Sequence, residues 1–86
     1  MTGEWEEIER RLLGLAAAFE RQLPKQDIDG VESLARAGEY GVALENLATQ
    51  LYEYDIAVPG TVLQEIIELG TRLTVDSSYW TILRVG

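Results

Sequence analysis

Tyr40-Gly41-Val42-Ala43-Leu44-Glu45-Asn46-Leu47-Ala48-Thr49-Gln50-Leu51-Tyr52-Glu53-Tyr54 is the stretch that sets the fold class. Its apolar residues do not alternate, as a half-buried strand requires; they recur at three- and four-residue steps. Advancing 100° per residue gathers Tyr40, Leu44, Leu47, Ala48, Leu51 and Tyr54 on one side of a helix. Glu45, Thr49, Tyr52 and Glu53 gather on the other. The pattern predicts an amphipathic helix over 40–54 with Tyr40 and Tyr54 at the core or its edge and Tyr52 in water.

The same period continues in both directions. Upstream, Gly38 is a natural left-handed stop for a short helix over 28–37. Asp27 can cap that helix, Asp29 and Glu32 suit the positive end of its dipole, and Val31, Leu34 and Ala35 supply its apolar side, although Gly30 weakens it. Further upstream, Trp5, Ile8, Leu12, Leu15, Ala16, Phe19 and Leu23 form one stripe, with Thr2 as N-cap and Pro24 as terminator. Glu6–Arg10 and Glu7–Arg11 stand at the favourable i,i+4 spacing on the opposite face, so this helix reads as self-neutralising and structural. Downstream, residues 55–60 make a loop ending in Pro59-Gly60, and Thr61-Val62-Leu63-Gln64 has the form of a capping box. A fourth helix over 62–73 would turn Leu63, Ile66, Ile67, Gly70 and Leu73 inward, with Glu68–Arg72 paired outside. Gly70, lacking a side chain on a packed face, predicts the close approach of another helix. Asp76 caps a last turn over 77–83 that offers Tyr79, Trp80, Ile82 and Leu83 as a lid. Residues 55–58 and 73–75 can form short extended pieces, but no alternating strand is present. The expected fold is all-α: a small antiparallel bundle of four helices plus a short C-terminal helical turn, one domain over 1–86.

Composition narrows the chemistry. An apolar fraction of 47% with 26% charged residues marks a globular chain, not a disordered one. There is no histidine and no cysteine, which excludes Ser-His-Asp and Cys-His catalysis, His/Cys zinc sites and disulfides. The glycines are scattered, with no phosphate-binding loop or dinucleotide fingerprint. The N-terminus is acidic where a secretory signal is basic, and no apolar run approaches the ~20 residues of a membrane span. The expectation is a cytoplasmic, non-membrane protein with no cofactor and no enzyme activity. A carboxylate-dependent magnesium enzyme is the weakest alternative, because Glu45 and Glu53 share a face but stand two turns apart.

The charge is unevenly spread. Residues 37–71 contain no lysine or arginine, yet carry six carboxylates, Glu39, Glu45, Glu53, Asp55, Glu65 and Glu68, and three of the four tyrosines. A one-signed, tyrosine-bearing surface suits a basic partner, and the net charge of −8 argues against direct nucleic-acid binding. The candidate partner-binding strip is Glu45, Thr49, Tyr52 and Glu53, extended by Glu39 and Asp55. The Glu65–Glu68 surface and the Pro59-Gly60 loop are the fallback positions. An exposed tyrosine between acids is a rigid interface anchor with a hydroxyl to bond, unless it lies flat on its own protein.

The segment Gly38-Glu39-Tyr40-Gly41-Val42-Ala43-Leu44-Glu45-Asn46-Leu47, continued by Gln50-Leu51-Tyr52-Glu53, resembles the central motif of MafI-type immunity proteins, small helical proteins that protect bacteria from their own polymorphic toxins. Gly70, Tyr79-Trp80 and Leu83 are similar to that family's C-terminal end. The resemblance covers about half the chain and carries over no set of inhibitory residues. It implies a cognate toxin domain as partner, neutralised by occlusion of its active or substrate-binding surface. Many such toxins are nucleases with basic sites, which agrees with the acidic strip. The alternatives are a helical adaptor, an anti-repressor, a DNA-mimic subunit, or a homo-oligomeric module in which Trp5, Tyr79 and Trp80 form a dimer face instead of a lid.

Overall fold

The structure is a computed structural model, and it describes residues 3–86. The described chain is all-helical: α1 (Glu4–Ala18), α2 (Lys25–Arg36), α3 (Tyr40–Glu53), α4 (Gly60–Arg72) and a single turn, α5 (Ser78–Thr81). The four main helices and the short C-terminal one are those the apolar period predicts. Helix α3 is the centre, packing on α1, α2, α4 and α5, while α2 bridges α1 and α3. Ile8, Leu12, Leu15 and Phe19 meet Val31, Ala35, Leu44, Leu47, Leu51, Ile66 and Leu69 in one buried cluster.

The helix ends differ from the sequence reading in instructive ways. The predicted N-cap Thr2 lies outside the described residues. Helix α1 stops at Ala18, well before Pro24. Phe19 to Leu23 continue as tight turns that keep Phe19 and Leu23 buried, with the Leu23 amide on the Phe19 carbonyl at 3.0 Å. Pro24 opens the next helix instead of closing the first. Its ring holds φ at −57°, and its carbonyl accepts the Asp27 and Ile28 amides at 3.0 and 3.2 Å. Asp27 therefore sits in the first turn and does not cap. Pro59 repeats the device for α4, at φ −57° and ψ 144°, with the Leu63 amide on its carbonyl at 2.9 Å. Thr61 is consequently inside the helix and the capping box does not form.

Helices α2, α3 and α4 all end in the same reversal. The Glu39 amide bonds the Leu34 carbonyl, the Ile56 amide the Leu51 carbonyl, and the Val75 amide the Gly70 carbonyl, at 2.9, 2.9 and 2.8 Å. Each bond needs the preceding residue in the left-handed region. Gly38 takes φ +82° there, as predicted; Asp55 and Thr74 take +51° and +59° with side chains that disfavour it.

Four aromatic and apolar assignments are corrected. Trp5, at 59% exposure, leaves the core stripe and stacks on Tyr40 with ring centroids 5.6 Å apart. Tyr54, expected at the core edge, is 48% exposed, because α3 has ended and its backbone has left the helical path. In α4 the packed side centres on Ile66, Leu69 and Gly70; Ile67 is only half-buried and faces a polar groove with Arg11 and Gln64. Ile82, expected in the lid, is exposed, while Leu83 is buried and Tyr79 and Trp80 are half-buried. Trp80 lies directly over Gly70, the close approach that this glycine predicts. The extended pieces reduce to one parallel bridge between Val58 and Val85, which joins the pre-α4 loop to the C-terminal segment.

The i,i+4 ion pairs expected from the sequence do not form, although Lys25 and Asp29 pair at that spacing in α2, at 2.7 Å. Arg11 turns from Glu7 to Glu65 and Glu68 on α4, at 3.3 and 3.1 Å. Burial disfavours its charge, but the two carboxylates outweigh that and hold the guanidinium above its ordinary pKa. Arg72 reaches Glu4 at 3.0 Å, leaving Glu68 to Arg11. No Glu6–Arg10 pair forms among the described residues. Helix α1 is thus tied to α4 by charge and is not self-neutralising. No helix of the described residues is long and apolar enough to cross a membrane.

Candidate functional site

Helix α3 buries Ala43, Leu44, Leu47, Ala48 and Leu51, which leaves its opposite face to solvent. On that face stand Glu45, Thr49, Tyr52 and Glu53, the strip expected from the sequence. Tyr52 is 54% exposed, Thr49 and Glu53 are exposed, and Glu45 is half-buried. The Thr49 hydroxyl donates to the Glu45 carbonyl at 2.8 Å, one turn back along the helix. Its one donor is spent on the backbone, so the residue offers the surface its methyl group and an acceptor oxygen, with no free donor.

The strip has a second wall that the sequence reading assigned to a lid. Tyr79 and Ile82, three residues apart at the end of the chain, face Ala48, Thr49 and Tyr52 across an open, mostly apolar groove of about 300 Å³, with Ser78 at its edge. Two contacts hold this wall in place. Trp80, between Tyr79 and Ile82, is seated on Gly70 of α4. The Asp76 carboxylate accepts the Ser78 amide at 2.8 Å, which starts the short helix as predicted and holds Asp76 below the usual carboxylate range. The signal available in sequence was the i,i+3 spacing of Tyr79 and Ile82, which puts both on one side of a single turn.

Two proposed members stand apart from the groove. Glu39 precedes α3, and Tyr52 lies thirteen residues further on, a separation of roughly 20 Å at 1.5 Å per residue. Asp55, itself the left-handed residue of the α3 reversal, already holds a cation: Arg84 Nε donates to its Oδ1 at 3.1 Å and Arg84 Nη2 to its backbone carbonyl at 2.7 Å. The stretch without cations in sequence is therefore not without one in space. Glu65 and Glu68 are likewise engaged by Arg11. Among the described acids of the 37–71 stretch, Glu39, Glu45 and Glu53 make no ion pair.

At the same end of α3, but toward α2, stands Tyr54. Its phenol is pushed above the ordinary tyrosine range, first by the charge of Asp27, then by partial burial, with Glu53 adding to the effect. No hydrogen bond of good geometry joins the pair: Asp27 Oδ2 is buried without a partner, so the coupling runs through charge. Among the described residues no group of three or more acidic side chains is placed to hold a metal ion. The arrangement is thus a groove with a tyrosine at its lip, an apolar floor and unpaired carboxylates one helical turn to either side of Thr49. Comparison with family models, with curated proteins and with solved structures finds no match to this chain.

Proposed function

We propose that this chain is a non-catalytic immunity protein of the bacterial cytoplasm, which binds a basic toxin domain and covers its active or substrate-binding surface with the outer face of α3. The observation that carries the reading is Tyr52: a large ring, half exposed, on a helix face whose core-facing side is fully used, flanked by Glu45 and Glu53 without a pairing cation. Such a ring has no packing duty that explains its placement, and aromatic anchors ringed by charge dominate interface energies. The resemblance of residues 38–53 to the MafI-type motif supports the toxin as partner. Opposite charge speeds encounter, and the buried ring slows departure.

The test is co-expression in bacteria of this chain with the toxin domain encoded beside it. Growth rescued by the chain, lost with Tyr52→Ala at unchanged melting temperature, is the expected result. Glu53→Gln is expected to lower the association rate, more at low salt than at high salt. Failure to rescue any neighbouring toxin domain refutes the immunity reading.

A further inference from the structure

We infer that the α3–α5 groove receives an arginine side chain of the basic partner, its stem lying on Tyr52, Tyr79 and Ile82 and its guanidinium reaching beyond the lining to Glu53, the neighbour of Tyr52. This deepens the reading above and rests on it for the identity of the partner, but not for the chemistry of the groove.

At about 300 Å³ and open to solvent, the groove stands at the small end of ligand pockets. It is open enough to solvent for a single long side chain to enter it. Its walls are two tyrosines, an isoleucine and the methyl of a threonine whose hydroxyl is already bonded to Glu45. Those groups suit an aliphatic stem and offer ring faces, and none of them carries a positive charge to hold an anion. Glu53 lies one turn beyond Thr49, toward the C-terminal end of α3, where the helix dipole is negative and the last turn carries no basic residue. A cation there meets a carboxylate and a dipole of the same favourable sign.

The protein shows the preference on itself. Two residues past Ile82, Arg84 crosses to the end of α3 and is held by the Asp55 carboxylate and carbonyl together. That fork geometry is what a guanidinium offers and an ammonium does not. Arg84 is occupied there and leaves the groove open. A second copy of this chain is a poor occupant, because each copy brings a net charge of −8. Stacking of a guanidinium on tyrosine completes the case for arginine over lysine.

The probe is N-acetyl-arginine N-methylamide, titrated into the full chain and followed by methyl and aromatic NMR. Saturable shifts in the millimolar range are expected at the Thr49 and Ile82 methyls and the Tyr52 and Tyr79 rings. The lysine analogue should bind about threefold or more weakly, and the uncharged citrulline analogue should give no saturable shift, since it loses the charge-assisted contact. Glu53→Gln should weaken arginine binding severalfold, and Tyr52→Ala should abolish it at unchanged melting temperature. Shifts confined to other acidic sites, equal binding of citrulline, or a dimer that covers the groove in sedimentation each overturn the inference. The two readings fail separately. Arginine binding in the groove without toxin rescue leaves the groove and removes the toxin; toxin rescue by Tyr52→Ala and Ile82→Ala variants leaves the toxin and removes the groove.

Discussion

Gly70→Ala is the sharpest probe of how the groove's second wall is mounted. A Cβ on Gly70 would stand 2.2 Å from Cζ3, 2.7 Å from Cη2 and 3.0 Å from Cε3 of Trp80. Ordinary contact begins at 3.4 Å, so the indole must retreat by at least 1.2 Å, the difference between 3.4 and 2.2. Alanine gains up to about 1 kcal/mol over glycine within a helix. Overpacking costs about 1–3 kcal/mol, and a ring driven off its seat also forfeits part of the ~1.5–3 kcal/mol of a buried large side chain. The clash wins, with a net loss of roughly 1–2 kcal/mol, which lowers the melting temperature of a domain this size by roughly 5–15 °C. Circular dichroism melts measure the loss, and tryptophan emission in a Trp5→Phe background reports Trp80 alone. The expected result is an earlier melt with red-shifted emission. In a Trp80→Ala background the same change should become neutral or slightly stabilising, since only the helix preference remains. A higher melting temperature with unshifted emission in the Trp80-containing protein refutes the contact.

Thr74→Gly should stabilise by about 0.5–1 kcal/mol in urea denaturation, because a β-branched residue at φ +59° gives way to one without the steric penalty; an unchanged midpoint counts against strain there. Arg11→Gln should cost about 1 kcal/mol at low salt, less at high salt, while Glu7→Gln should cost nearly nothing, since Arg11 bonds Glu65 and Glu68. The Tyr54 phenol should titrate later than an ordinary tyrosine, and Asp27→Asn should bring it back, as read by phenolate absorbance. Its folded pKa is raised, so its contribution to stability is present below about pH 10 and is lost as pH rises through the higher value.

Much of this fold is legible in the apolar period. Gly38, Gly70 and Asp76 mark features that the period alone does not, and each behaves as its chemistry predicts. Trp5 and Tyr54 were misread for one reason: projection onto a wheel treats a helix as endless, and both sit at ends where side chains slip past the core. Ile66 and Ile67 are adjacent and equally apolar, so only the position of neighbouring helices selects Ile66. The predicted i,i+4 ion pairs of α1 and α4 do not form because each is worth only ~0.2–0.5 kcal/mol, and α4 offers Arg11 two carboxylates in place of one. Of the site, Glu45, Thr49, Tyr52 and Glu53 could be read from one helix. Tyr79 and Ile82 could not, because their meeting with α3 depends on Trp80 finding Gly70.

The Val58–Val85 bridge bears on the order in which the chain folds. Helices α1, α2 and α3 pack chiefly on their sequence neighbours, a low-contact-order arrangement that forms quickly. The strap is different. It joins positions 27 apart, 85 minus 58, by two hydrogen bonds: the Val58 amide to the Arg84 carbonyl at 2.8 Å and the Gly86 amide to the Val58 carbonyl at 3.0 Å. Closing so long a loop yields little until α4 and α5 are already seated, so it belongs to the last stage of folding. By the same account it is the first to open. The Val58 amide, although its side chain is fully buried, should exchange with deuterium sooner than the amides of Leu47 and Leu51, and partial unfolding of the native protein should begin with the strap and α5 lifting away from the four main helices.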